Sequence, residues 1–237
     1  MGRERAGGRN RGGRPRAGQE SLSRGRILDA ALGLVDEEGM DALTMRRLGA
    51  ELGVNPISIY HHLSGKDAMI SGLVEQIFSG VRVRYSDRSS WQEQVRAWAE
   101  AYRGLARSHP NLVLEIVSNA AAATEAVLLV NEPLYRALDE SGLPPAEVVR
   151  AADSVVDFVH GFALAEGAQP SGHSFDRREL LTRLEAGDAD GLPATRRVFG
   201  ALTRDEARYD FDRGFDDGLG ILLKGIEARI VDAGAFR

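Results

Sequence analysis

The segment Pro56-Ile57-Ser58-Ile59-Tyr60-His61-His62-Leu63 holds the densest run of side chains able to do chemistry. Ile59 and Leu63, four residues apart, share one face of a helix, while the remaining positions present a hydroxyl, a phenol and two imidazoles. A helix that only packs has no use for that polar array, whereas a helix laid into the major groove of DNA does. His61 and His62 invite metal or general-base chemistry, but neighbouring positions on a helix diverge by about 100° and cannot close on one ion from one chain. The expectation is phosphate contact for one ring and packing for the other, with no metal site.

A second set, Trp98, Tyr102, His109, Leu114, Asn119, Asp157 and His160, mixes aromatic surface with a few polar groups, as small-molecule pockets do. Plainer uses exist for its members. Trp98 and Tyr102 at helical spacing suit a core, His109 before Pro110 suits a helix end, and Asp157 suits a pairing across a dimer. The parts of an enzyme are missing. There is no Gly-x-Ser-x-Gly elbow, phosphate loop, cofactor glycine fingerprint or carboxylate-histidine spacing for a metal, so neither catalysis nor a cofactor is expected.

These residues need elements to hold them, and the apolar spacing is helical throughout. Ser21 or Ser23 can cap a helix whose face is Ile27, Leu28, Ala31, Leu34 and Val35, ending at Gly39. Thr44 can cap a second helix, Met45 to Leu52, stopped by Gly53. Asn55 offers another cap, with Pro56 at the first helical position of a third helix running to Leu63. Helices two and three, joined by Gly53-Val54-Asn55, make a helix-turn-helix. Lys66 starts a longer helix carrying Ile70, Leu73, Val74, Ile77, Phe78 and Val81, and Trp91, Val95, Trp98, Tyr102 and Leu105 repeat the pattern until His109-Pro110 ends it. Further helices are expected over Asn111–Ser118, Thr124–Ser141, Pro144–Glu166 and Ala207–Ile230, with residues 168–192 a loop around a short helix near Leu180–Leu184. The fold class is all-α.

Charge divides the chain. Its formal net charge is −5, yet residues 1–66 hold eleven Lys plus Arg against eight Asp plus Glu, while residues 67–237 hold 19 against 27. A basic head on an acidic body suits a protein of which one end approaches phosphate. Residues 1–20, Gly and Arg with almost no apolar content, read as a disordered arm, and Arg14 and Arg16 beside the helix-turn-helix can reach an adjacent minor groove. The division is then 1–20 arm, 21–66 DNA-binding head and 67–237 body. The absence of cysteine, of an apolar leader and of any apolar run of membrane length makes the cytoplasm the expected compartment, with no membrane partner.

From Arg26-Ile27-Leu28-Asp29-Ala30-Ala31, through Leu43-Thr44-Met45-Arg46-Arg47-Leu48-Gly49-Ala50-Glu51-Leu52-Gly53-Val54, to Ile59-Tyr60-His61-His62-Leu63 and Lys66, the chain resembles the tetracycline-repressor (TetR) family of regulators. The resemblance implies a homodimer that places two heads in successive major grooves of a pseudo-palindromic operator, and a body whose small-molecule effector changes their spacing. Carried over by position, it implies phosphate contacts for Thr44, Tyr60 and Lys66, and a base or phosphate contact for Arg46. Asn55, Pro56, Ile57 and Ser58 lead the recognition helix and should read bases. Pro56 and Ile57 cannot donate hydrogen bonds from their side chains, which points to thymine-methyl contacts. Dimerisation is expected through helices 144–166 and 207–230, paired with their copies as a four-helix bundle in which Ala152, Gly214 and Gly218 permit close approach. Trp91–Pro110 and Val159–Leu164 resemble the body of the tetracycline-repressor branch itself. That branch chelates a magnesium–tetracycline complex with histidines and a glutamate, and a full matching set is not found: His160 falls near one position, Ser79–Ser90 has no histidine, and Glu166 is out of register. The alternative is a constitutive or architectural DNA-binding protein with no effector, for which so large a body is superfluous.

Overall fold

The computed structural model describes residues 21–86, 88–118, 125–167, 176–185 and 192–235. Among them, regular structure is helical apart from one isolated antiparallel bridge between Asp176 and Arg208.

Local capping chemistry builds the head. Helix α1 (Arg24–Glu38) starts where the Ser23 hydroxyl accepts the Arg26 amide at 3.3 Å and ends at Gly39, whose φ of 84° few other residues tolerate. A 3-10 turn, Met40–Ala42, leads to α2 (Met45–Leu52), where Thr44 Oγ1 accepts the Arg47 amide at 3.1 Å. Gly53, at φ 65° and ψ 31°, turns the chain into α3 (Pro56–Tyr60), capped by Asn55 Oδ1 on the Ile57 amide at 3.0 Å. Helix α3 stops short of the expected Leu63. His61 and His62 lie in a turn leading to Gly65, whose φ of 154° sets up the reversal into α4 (Lys66–Ser79). Leu63 is buried nonetheless.

Helix α4 belongs to both halves. It packs on α1, where a Cβ at Gly72 would lie 2.9 Å from Leu28 Cδ2, and it is tied there by Arg24–Glu75 (3.1 Å) and Gln76–Asp29 (2.7 Å). Its far end meets the body, made of α5 (Trp91–Ser108), α6 (Pro110–Ser118), α7 (Glu125–Glu140), α8 (Pro145–Gly167), α9 (Arg177–Glu185), α10 (Pro193–Ala201), α11 (Arg204–Ala207) and α12 (Phe211–Ala235). One contiguous apolar cluster runs from Ile27 in α1 to Ile226 in α12, so head and body share a packed core.

Three expectations need correction. Ala207–Ile230 is not one helix: Arg208 pairs with Asp176, and Asp210 Oδ1 accepts the amides of Asp212 (2.9 Å) and Arg213 (3.1 Å), restarting the helix at Phe211. The expected loop contains α9, longer than Leu180–Leu184 because Asp176 Oδ1 accepts the Arg178 and Glu179 amides, and Pro193 opens the unforeseen α10. The glycines assigned to a dimer seam serve packing within the chain. A Cβ on Gly218 would lie 2.8 Å from Phe158, one on Gly214 would lie 2.8 Å from the Tyr209 hydroxyl, and Ala152 is buried in the core.

Candidate nucleic-acid interface and ligand cavities

The α2–α3 pair presents its polar residues outward. Ile57 (65% exposed) and Tyr60 (53%) stand clear of the core while Ile59 beneath them is fully buried. Asn55, Thr44 and Arg46 are exposed, and Pro56 and Ser58 are half-buried. Thr44 spends an oxygen lone pair on its cap and keeps its hydroxyl hydrogen to donate. Asn55 commits one lone pair of Oδ1 to the Ile57 amide, which leaves its amide hydrogens outward. Lys66, exposed at the start of α4, gives one Nζ hydrogen to the Met40 carbonyl (3.2 Å) and is thereby held beside the helix-turn-helix with other donors available. Arg47 differs from its neighbour Arg46. It is clasped by Glu38 (2.6 Å) and Glu51 (2.9 Å), and Glu38 foremost holds its guanidinium above the usual range.

Both histidine rings of the turn are exposed, so the expected packing of one of them is not found. With α3 ending at Tyr60, positions 61 and 62 leave the helical face and Leu63 supplies the buried contact. Arg14 and Arg16 lie outside the described residues. Among those described, no group of three or more His, Cys, Asp or Glu side chains could hold a metal.

In the body, three of the seven singled-out residues come together. Trp98, fully buried, donates its indole N–H to the Val130 carbonyl (2.8 Å) and stacks on Tyr102 at 5.1 Å, which in turn stacks on Phe78 of α4 at 5.8 Å. Tyr102 Oη meets His160 Nε2 at 2.8 Å. Burial pushes the phenol up beyond its ordinary value and the imidazole down below its own, with Asp157 opposing the latter. A neutral phenol donating to a neutral imidazole satisfies both shifts. The other members lie elsewhere. Asp157 is exposed on α8, and Asn119 is outside the described residues. His109 turns away to the head, its Nδ1 2.9 Å from Asp36 Oδ2 at the end of α1. Leu114, 47% exposed, lines a cavity of about 300 Å³ with Ala106, Pro110, Val113, Ala163 and Leu164.

Two features escape a reading of spacing alone. Asn111 Nδ2 donates to the Val35 carbonyl at 2.8 Å, so the α5–α6 junction grips the end of α1 through two neighbouring polar links, from His109 and Asn111. Arg103, 8% exposed, is held bidentately by Glu166 of α8 (Nε–Oε2 3.0 Å, Nη2–Oε1 2.9 Å), meets Asp212 of α12 at 2.9 Å, and lies 4.6 Å over the Phe215 ring. An arginine in sequence reads as surface. The available signal was its place between Ala99 and Ala106 on the buried face of α5.

Helices between residues 24 and 79 therefore present a polar, partly basic face suited to a duplex, over a body with an apolar cavity close to the joint. Comparison with known proteins agrees with that arrangement. Residues 27–73 match the family described as bacterial regulatory proteins, tetR family, and residues 86–230 match the tetracyclin repressor-like C-terminal domain. An HTH-type transcriptional regulator of Saccharopolyspora erythraea is 29% identical over 87% of this chain and 85% of its own. The class D tetracycline repressor protein of Escherichia coli is 26% identical over 88% of this chain and 91% of its own. The Streptomyces coelicolor TetR family protein ActR, solved in complex with actinorhodin, superposes with a TM-score of 0.74 at 26% identity, covering 88% of this chain and 98% of ActR.

Proposed function

Because the chain belongs to the tetracycline-repressor family of bacterial transcriptional regulators, whose members bind operator DNA, dimerise and bind small-molecule effectors, we propose that it is a repressor that leaves its operator when a small molecule enters the body. The outward front of α3, built on the Gly53 turn and the Asn55 cap with Ile57 and Tyr60 exposed above a buried Ile59, carries the reading most directly. Thr44, Arg46, Tyr60 and Lys66 contact phosphate, and either exposed ring of His61 and His62 can add to them. Asn55, Pro56, Ile57 and Ser58 read bases. Arg47, neutralised by two carboxylates, is left out of the contact set. Arg14 and Arg16 follow the duplex into the minor groove.

The effector enters beside α6, where the apolar cavity lies directly behind the residues that grip α1. It is an apolar molecule and not a metal chelate, because among the described residues the cavity wall offers Asn111 alone as a polar side chain, and Glu166 is spent on Arg103. The ActR structure with actinorhodin supports a body of this shape opening to an organic ligand. Dimerisation uses the outward faces of α8 and α12, where Val149, Ile221 and Val231 are exposed, and the compartment is the cytoplasm. Selection of bound fragments from genomic DNA by the purified protein is the test. Recovery of pseudo-palindromic fragments supports the reading, and recovery of unrelated sequence overturns it.

A further inference from the structure

We propose that Lys66 is a modification site, at which transfer of an acyl group from an acyl phosphate to Nζ releases the head from DNA. This role rests on the reading of Lys66 as a phosphate contact and adds a covalent step to it. Of the chain's 30 lysine and arginine residues only Lys66 and Lys224 are lysines. A guanidinium keeps its proton and does not acylate, whereas an ammonium that sheds a proton becomes a nucleophile. Within residues 21–66 every other cationic side chain is arginine or histidine, so Lys66 is the single side-chain amine of the DNA-binding head.

Its setting lets acylation occur without cost to the fold. Lys66 is exposed, gives one Nζ hydrogen to the Met40 carbonyl at 3.2 Å, and has no carboxylate in ion-pair range among the described residues. An acyl phosphate carries the same charged group that Lys66 is read as gripping, so attraction for phosphate brings the acyl carbon to the nitrogen. The ammonium gives one proton to water, and the freed electron pair attacks the carbonyl carbon. The carbon–oxygen bond to phosphate then breaks, its electron pair leaves with the phosphate, and a second proton passes from nitrogen to that phosphate. The amide so formed keeps one N–H, enough for the Met40 carbonyl, and the tie between α4 and the 3-10 turn survives. The positive charge and the donors turned toward DNA are lost. Lys224, exposed on α12 in a groove with Arg96, Asp217 and Glu227, lies on the body and serves as an internal control.

Acetyl phosphate is the probe, added to the full chain, with modified residues mapped by mass and affinity for a fragment selected from genomic DNA read by anisotropy. Acetylation of Lys66 should lower affinity roughly tenfold per head at about 100 mM salt, and should flatten the slope of log affinity against log salt by about 0.9 per head. Bound fragment should shield Lys66 from the reagent while Lys224 stays open to it. Lys66→Arg retains every other amine and should lose no affinity on treatment, whereas Lys224→Arg should respond as the parent does. The proposal is overturned if Lys66 stays unmodified under conditions that acetylate Lys224, if acetylated Lys66 leaves affinity intact, or if treatment inactivates Lys66→Arg as it does the parent. Loss of the helical signal in circular dichroism on acetylation also overturns it, by assigning the effect to unfolding. If selection recovers no fragment, the DNA-binding reading itself falls and the proposal with it, whereas binding that survives acetylation of Lys66 overturns the proposal alone.

Discussion

Arg103 shows how a charge is kept inside this fold. Burial favours loss of its proton, and the Glu166 carboxylate, followed by Asp212, outweighs that and holds the guanidinium above its usual range. Removing one member of such a pair leaves the other uncompensated. Arg103→Met should therefore lower unfolding stability by roughly 3 kcal/mol in urea titration, and adding Glu166→Leu should recover much of the loss. His160 carries the opposite sign, because burial holds its pKa below the ordinary value. Between that lowered value and about 6.5, the unfolded chain binds the proton and the folded chain does not, so stability falls as pH drops below about 6.5. Thermal melting from pH 7.5 to 5.5 should show the fall, and His160→Gln should flatten it. At the DNA face, Lys66→Gln should weaken binding to all sequences alike, whereas Ile57→Ala should cost about 1 kcal/mol on a selected site and little on random DNA, as read by competition binding.

Among the elements, α6 lies between the apolar cavity of the body and the end of α1, which is the route to the head under the proposed function. His109 just before it and Asn111 in its first turn bond Asp36 and the Val35 carbonyl, and its inner face borders the apolar cavity. His109→Ala, outside the cavity wall, should leave effector affinity near its original value while reducing effector-driven release of DNA several-fold, measured by anisotropy with and without ligand. The helices themselves were largely legible, because α1, α2, α4 and α5 follow a helical apolar period, the first three starting at Ser23, Thr44 and Lys66. Ends and interruptions were less so. The early stop of α3 follows from the reversal at Gly65, a non-periodic feature, and the break before α12 follows from the Asp210 cap and the Asp176–Arg208 bridge, a partnership between positions distant in the chain. In the candidate DNA face, the stretch from Asn55 to His62 is consecutive and could be singled out from the sequence, whereas Thr44, Arg46 and Lys66 were named from the family resemblance. Of the seven residues named for a ligand pocket, Trp98, Tyr102 and His160 come together in the core and Leu114 lines the cavity beside α6, while Asn111 and Arg103 gain their roles from partners on distant elements.

The helix-turn-helix head and the acidic body share a continuous core, so a change in the body has a packed route to the head. The faces of α8 and α12 turned away from that core carry Val149, Ile221 (73% exposed) and Val231, surface that a second copy would cover. Ile221→Glu should shift sedimentation toward the monomer and weaken binding to a two-half-site fragment far more than to one half-site. The central claim, that this head grips the DNA backbone, is tested most directly by measuring affinity for a selected genomic fragment between about 50 and 200 mM salt, where six to ten phosphate contacts predict a loss of about 10³-fold or more. An affinity unchanged across that range would contradict it.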